Sequence, residues 1–256
     1  MLNNISLLLA LGASALVSAS PIAMVPPKVS NPPGSSTSKG FRLVARTTDP
    51  FNSLAVSVEG TVLEAYHEGS NDRVPVLKTP DAQNPGRIFY FDKPAQADSL
   101  SLVTDSYATG VSNSRPAVAF GFSVQSPTDF IVPEYPQEHG ITIRAGGTKS
   151  STPVSLAVMS TPMRGLFLLN EQGCGTFMAC KRDIPYYNQE AMMTVEYLYD
   201  SDASHNTGDK ATVPDGCVAI RLVPICADLP AVPPGSLASH EHVQPTICYN
   251  NIDGSR

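Results

Sequence analysis

With 256 residues, 42% of them hydrophobic and only 16% charged, the chain is long and apolar enough to bury a real core, and its 23 prolines and 18 glycines stay below the share that marks a disordered protein. A net charge of −6 and a pI near 5.3 put acidic groups toward solvent, and no basic stripe with interleaved aromatics interrupts them, so nucleic acid is not an expected partner. The high proline content favours turns and short strands over long helices.

The chain opens on an apolar run from Ile5 to Val17 that ends in small residues, with Val17 and Ala19 at minus three and minus one of a cut before Ser20. That layout predicts a secretory signal peptide over 1–19, although the leading MLNN carries no basic side chain. The run is shorter than the roughly 20 apolar residues that span a bilayer, and Pro21 follows it. No second run of spanning length occurs and the C-terminus is polar, so the expected mature product has no membrane anchor. The sequon at Asn4 lies inside the signal, and N-glycosylation is not expected.

Residues 20–40 are rich in Pro and Ser and lack periodicity, which predicts a flexible, solvated leader. From Phe41 onward the signals are strands. Phe41–Ala45 alternates, Arg87–Phe91 is aromatic and β-prone, and Val118, Phe120, Phe122 and Val124 fall on one face. Pro133 to His139, with two prolines, reads as a surface loop. Beyond it Val154–Met159, Gly165–Leu169, Gly175–Cys180, Ala191–Tyr199 and Val218–Val223 continue the β pattern. Met193, Val195, Tyr197 and Tyr199 share one face, and so do Val218, Ile220 and Leu222. Turn clusters such as Asn84-Pro85-Gly86, Pro214-Asp215-Gly216 and Pro233-Pro234-Gly235 separate the runs. About a dozen strands without a long amphipathic helix predict an all-β sandwich or barrel of short antiparallel strands with little helix.

All five cysteines, Cys174, Cys180, Cys217, Cys226 and Cys248, lie in the last third. Their spacings match no zinc pattern, and an oxidising route would pair four of them. Connectivity does not follow from sequence, but the preferred pairs are Cys180 with Cys217 and Cys226 with Cys248, each worth roughly 3 to 4 kcal/mol by loop entropy, with Cys174 left as a free or intermolecular thiol.

The search for chemistry assigns no catalytic residue, no metal ligand and no cofactor. Gly-x-Ser-x-Gly and His-Glu-x-x-His are absent. His240-Glu241-His242 offers two imidazoles at i and i+2, one or two ligands short of a zinc site, and reads as a solvated loop. Glu59, Glu64, Glu68, Asp72, Glu190 and Glu196 lie in or near strand regions, but spacing singles out no pair of the kind glycoside hydrolysis needs. Lys181-Arg182 reads as a surface turn. A sugar-stacking platform would draw on Tyr90, Tyr186, Tyr187, Tyr197 and Tyr199, since Trp is absent, yet tyrosines at period two are more often half-buried packing.

Several stretches in order carry a resemblance: GFRLV from Gly40, RIFY from Arg87, GTFMAC from Gly175, IPYY from Ile184, VPDGC from Val213 with Val218 to Cys226, LASHE from Leu237, and Cys248-Tyr249. Together they resemble a family of secreted fungal proteins known only as a domain of unknown function, over most of Gly40 to Asn250. They are more distantly similar to fungal cell-wall proteins of the phialide type. The resemblance implies an extracellular β-rich domain with no assigned activity. His242 departs from the family pattern, where an aromatic residue commonly follows His-Glu, and this weakens the metal reading further.

The sequence thus points to a signal over 1–19, a leader over 20–40, a single β-rich extracellular domain over 41–250 and a tail over 251–256. The expected role is structural or interactive, secreted or associated with the cell wall, with wall polysaccharide as a possible partner and no nucleic acid or membrane partner. The rivals are a secreted hydrolase using a carboxylate pair and a carbohydrate-binding module.

Overall fold

The computed structural model describes residues 31–48, 54, 57–67, 72–93, 100–106, 116–125, 138–145, 154–159, 165–170, 175–184, 189–200 and 212–253. The expected signal peptide, the leader up to Ser30, Cys174, Tyr186 and Tyr187 lie outside them. The described residues belong to one unit, Asn31–Arg256, and are almost entirely β.

The alternations read from the sequence set the inward faces. In β7 (Ala119–Val124), Phe120, Phe122 and Val124 all enter the main core. So do Val195, Tyr197 and Tyr199 of β13 (Gln189–Tyr199), with Met193 packed at its margin. Val218, Ile220 and Leu222 of β14 (Cys217–Ala227) do the same. A period of two sends every other residue to the opposite face, where smaller clusters form. β5 (Ile88–Asp92) is the clearest case: Phe89 and Phe91 join the main core, Ile88 packs with Ala227, and Tyr90 packs with Val103 and Val243.

Fourteen strands form one sheet, which closes on itself twice. One ring runs β14, β12 (Gly175–Ile184), β13, β4 (Asp72–Lys78), β3 (Val62–His67), β2 (Gly40–Thr47) and back to β14. The second runs β4, β3, β2, β5, β6 (Ser101–Asp105), β7, β9 (Ile141–Ala145) and back to β4. Closure removes edges that would otherwise leave backbone groups unpaired. β12, β13 and β14 are longer than the short strands expected, at 10, 11 and 11 residues. β14 shows why: residues 217–220 pair with β12, and residues 220–227 pair along its other edge with β2. At the turn into β5, Gly86 has φ +102°, and a Cβ there would stand 2.7 Å from that of Val62, so only glycine admits the close approach to β3.

A separate hairpin of β10 (Val154–Met159) and β11 (Gly165–Asn170) packs against β14. Leu166 and Phe167 cluster with Val223 and Tyr249 there. β16 (Thr246–Tyr249) lies parallel to β14 while the other described pairings are antiparallel, so the sheet is mixed.

The two disulfides are Cys180–Cys217 and Cys226–Cys248, the pairs preferred from the sequence. Cys180 and Cys217 face each other directly across β12 and β14, packed with Met178 and Leu198 outside the main core. Cys248 ties β16 to β14 and is itself fully buried.

Three expectations need correction: Lys181-Arg182 lies within β12, paired with β13, rather than in a turn, and two stretches read as leader and loop end in strands. The flexible leader does not run to Gly40, because β1 (Ser35–Ser38) pairs with β16 over four residues. Its hold is the backbone ladder and hydroxyls: Ser38 Oγ donates to the Ala227 carbonyl at 2.9 Å and Ser36 Oγ to Asn250 Oδ1 at 2.5 Å. An apolar alternation was therefore never required. The loop over 133–139 likewise ends in a strand, β8 (Glu138–His139), which pairs with Leu198 and Tyr197 of β13, while 133–137 lie outside the described residues. His139 is buried with its ring 4.8 Å from that of Tyr199, so the aromatic edge contact holds a segment too short to show periodicity.

Candidate functional site

The register of β12 and β13 places Met178 opposite Glu196 and Cys180 opposite Thr194, so Arg182, Thr194 and Glu196 share the face turned away from the main core. Leu198, on the same face, opposes Glu138 of β8, which brings a second carboxyl to the cluster. Arg182 donates to Glu196 through two nitrogens, Nε at 3.0 Å and Nη2 at 3.1 Å, in the fork that matches guanidinium to carboxylate. Its Nη2 also pairs with Glu138 Oε1. The Thr194 hydroxyl stands 3.0 Å from Glu196 Oε1.

Burial, then the hydrogen bond and the negative charge of Glu196, push the Glu138 carboxyl up to about 7. Burial would raise Glu196 as well, but its hydrogen bonds to Glu138, Arg182 and Thr194 and the Arg182 charge hold it below the usual range. Near neutral pH the two carboxyls hold one proton between them, and Glu138 Oε2, buried with no donor facing it among the described residues, can carry it. The arrangement can take up or release that proton. It does not resemble a glycosidase pair, whose carboxyls stand about 5 Å or more apart to admit a sugar ring, since these two share one donor, Arg182 Nη2.

A second cluster joins the long loop after β14 to the sheet. Asp105, at the end of β6, accepts from the Tyr90 hydroxyl at 2.8 Å through Oδ1 and meets His240 Nε2 at 2.9 Å through Oδ2. Its carbonyl accepts from Arg87 Nη1 at 2.8 Å. The His240 ring stands edge-on to Tyr90 with centroids 4.8 Å apart. Burial and the Asp105 charge raise the Tyr90 phenol far above its ordinary range, so it remains a donor. A carboxylate–imidazole pair of this kind serves hydrolysis when the other ring nitrogen faces a nucleophile. Among the described residues no hydroxyl or thiol is bonded there, and the described cysteines are all in disulfides.

Of the carboxylates named from the sequence, Glu59 pairs with Arg46 at 2.6 Å and Asp72 with Arg144 at 2.6 Å, both at the surface. Glu64 is buried beside Arg87, 3.6 Å away, and burial raises its pKa against the pull of Arg87. Glu68 and the side chain of Glu190 lie outside the described residues. Among those described, Glu196 alone meets a second carboxyl, that of Glu138, which sequence reasoning missed because it lies in the proline-bounded stretch read as a loop. His240 to His242 fall in an irregular turn, and no group of three potential ligands that could hold a metal occurs among the described residues. Tyr90, Tyr197 and Tyr199 are each 2% exposed or less and cannot stack on a sugar.

A model for a domain of unknown function, DUF7907, matches residues 38–226. The chain belongs to that family. It is also 31% identical over 226 residues to the antigenic protein SchS34 of the fungus Stachybotrys chartarum, covering 88% of this chain and 91% of that protein. No solved structure matches it. The match runs from Ser38, the last residue of β1, to Cys226 in β14 and so takes in both rings, which gives the family a fold without giving it a reaction.

Proposed function

We propose that this chain is exported and acts outside the cell, free or associated with the cell wall, in a structural or interaction role without a reaction of its own. The observation that carries this reading is the pair of disulfides built into the sheet, since such bonds persist in oxidising compartments and are rare in reducing ones. The apolar run Ile5–Val17 with small residues before Ser20 supports export. A relative described as antigenic supports an exposed location. The charged side chains that cluster, Glu138, Glu196 and Arg182 or Asp105 and His240, bond to one another, which suits latches between strands better than a reacting centre. No helix among the described residues is long and apolar enough to cross a membrane.

The test is expression of the full chain, C-terminally tagged, in a filamentous fungus, followed by fractionation into cells, wall and medium. The expected product begins at Ser20 and appears in wall or medium. An uncleaved chain retained inside cells would contradict export. For the wall, the purified protein is incubated with insoluble fungal and plant wall polysaccharide; retention supports wall association, and none on any of them leaves the free secreted form.

A further inference from the structure

Arg221 of β14 and Arg46 of β2 stand directly opposite each other in register, so two cations face the same side of the sheet. Arg46 is compensated: Nε pairs with Glu59 at 2.6 Å and Nη1 donates to the Ile252 carbonyl at 3.2 Å. Arg221 is not. Its guanidinium lies over the Phe167 ring, 5.2 Å from the centroid, and no carboxylate or carbonyl accepts from its side chain among the described residues. Arg42, Arg87, Arg144 and Arg182, by contrast, each donate to a protein oxygen.

The two arginines line a pocket of about 130 Å³ whose other walls include Thr47, Leu166, Phe167 and Tyr249. Leu166 and Phe167 are buried, which lowers the local dielectric and strengthens any charge pairing inside. Burial lowers the Arg221 pKa without a nearby acid to offset it, yet a guanidinium stays charged at neutral pH. The buried Tyr249 hydroxyl accepts from the Leu166 backbone N–H at 3.0 Å, and no described acceptor uses its own proton. Gly165 has φ +140°, and a Cβ there would stand 3.4 Å from that hydroxyl, so glycine keeps the rim close without strain.

We propose that this pocket binds a small organic monoanion through its carboxylate, with the Arg221 fork as the charge partner and the Tyr249 hydroxyl as a second donor. One uncommitted cation balances one negative charge. The chain's own net charge of −6 opposes polyanions and favours a singly charged ligand over a phosphate dianion. The volume, close to that of a cavity that holds benzene, suits an acid of a few carbons or the carboxylate end of a sugar acid. This site does not depend on where the protein resides.

The experiment uses the full mature chain, oxidised and isotope-labelled, titrated with sodium acetate, sodium glucuronate or sodium phosphate at constant ionic strength and pH 7 and followed by amide NMR. Saturable shifts at Leu166, Phe167 and Arg221 with acetate or glucuronate are expected. A response to acetate alone marks a free small acid as the source, and a stronger response to glucuronate marks a carboxylated sugar. Arg221→Gln should weaken binding about tenfold or more while changing the melting temperature little, since it removes both a cation opposite Arg46 and a contact with the Phe167 ring. Three results would overturn the proposal: no saturable shift in the wild type, shifts confined to other residues, or saturation by phosphate with no response to either carboxylate.

Discussion

The two rings of this sheet are held by different means. The ring through β5, β6, β7 and β9 contains no cysteine, and every residue of β5 and β6 is buried. Phe89, Phe91, Phe120 and Phe122 fill its share of the core. Around β14, by contrast, lie two strands of four residues each: β1 reads SSTS and carries no apolar side chain, and β16 reads TICY and buries Cys248 and Tyr249. Both disulfides are here. A strand that buries little apolar surface gains little from the hydrophobic effect, so a covalent link that limits the unfolded chain matters more where packing is thin.

Four variants break or sharpen this contrast. The largest effect is expected in the ring without cysteines, where Phe89→Ala removes a fully buried ring and should cost about 3–5 kcal/mol in denaturant unfolding, whether or not the disulfides are reduced. Replacing Cys226 and Cys248 together by alanine should cost about 3 kcal/mol and equal the effect of reduction at that site, since the bridge spans 22 residues. A cost below about 1 kcal/mol would show that packing alone retains β16. Asp105→Ala leaves Tyr90 and His240 without their shared acceptor and should cost about 2 kcal/mol. Protease nicking should then rise in the loop of residues 228–242, which the pair ties down.

The smallest effect depends on pH. The folded Glu138 carboxyl binds its proton more tightly than the unfolded one, so between about pH 4.5 and 7 the native state holds more protons and stability falls as pH rises. Glu196, held low, contributes in the opposite sense only in acid, losing its stabilisation as pH falls through its folded pKa. The expected loss from pH 5 to pH 8 is about 1–2 kcal/mol after allowance for solvent screening, read as a falling melting temperature. Glu138→Gln, which mimics the protonated carboxyl, should flatten that slope; an unchanged slope would place the proton elsewhere.

What the sequence disclosed follows from the range of each interaction. The inward faces of β7, β13 and β14 were legible because period-two alternation is local to a strand. The cysteine pairs were legible only as a preference, since loop length and an oxidising route leave other connectivities open. β1 was not, since backbone pairing and serine hydroxyls leave no apolar pattern. β4 carries Pro75 within its span, opposite Ala65, which argues against a strand when read alone. The ionic clusters were hidden for a different reason. Asp105 and His240 are 135 positions apart, and Glu138 meets Arg182 only through pairing between β8 and β13. Long-range strand pairing and loop docking bring such residues together, and no window of sequence contains them.

The contrast between the rings is tested most directly by hydrogen exchange on the protein, oxidised and then reduced under native conditions. The expected result is loss of protection in Ser35–Ser38, Thr246–Tyr249 and the Cys217 end of β14, with Ile88–Asp92, Ser101–Asp105 and Ala119–Val124 still protected. Equal loss throughout, or none anywhere, would contradict a division between a packed ring and a stapled one.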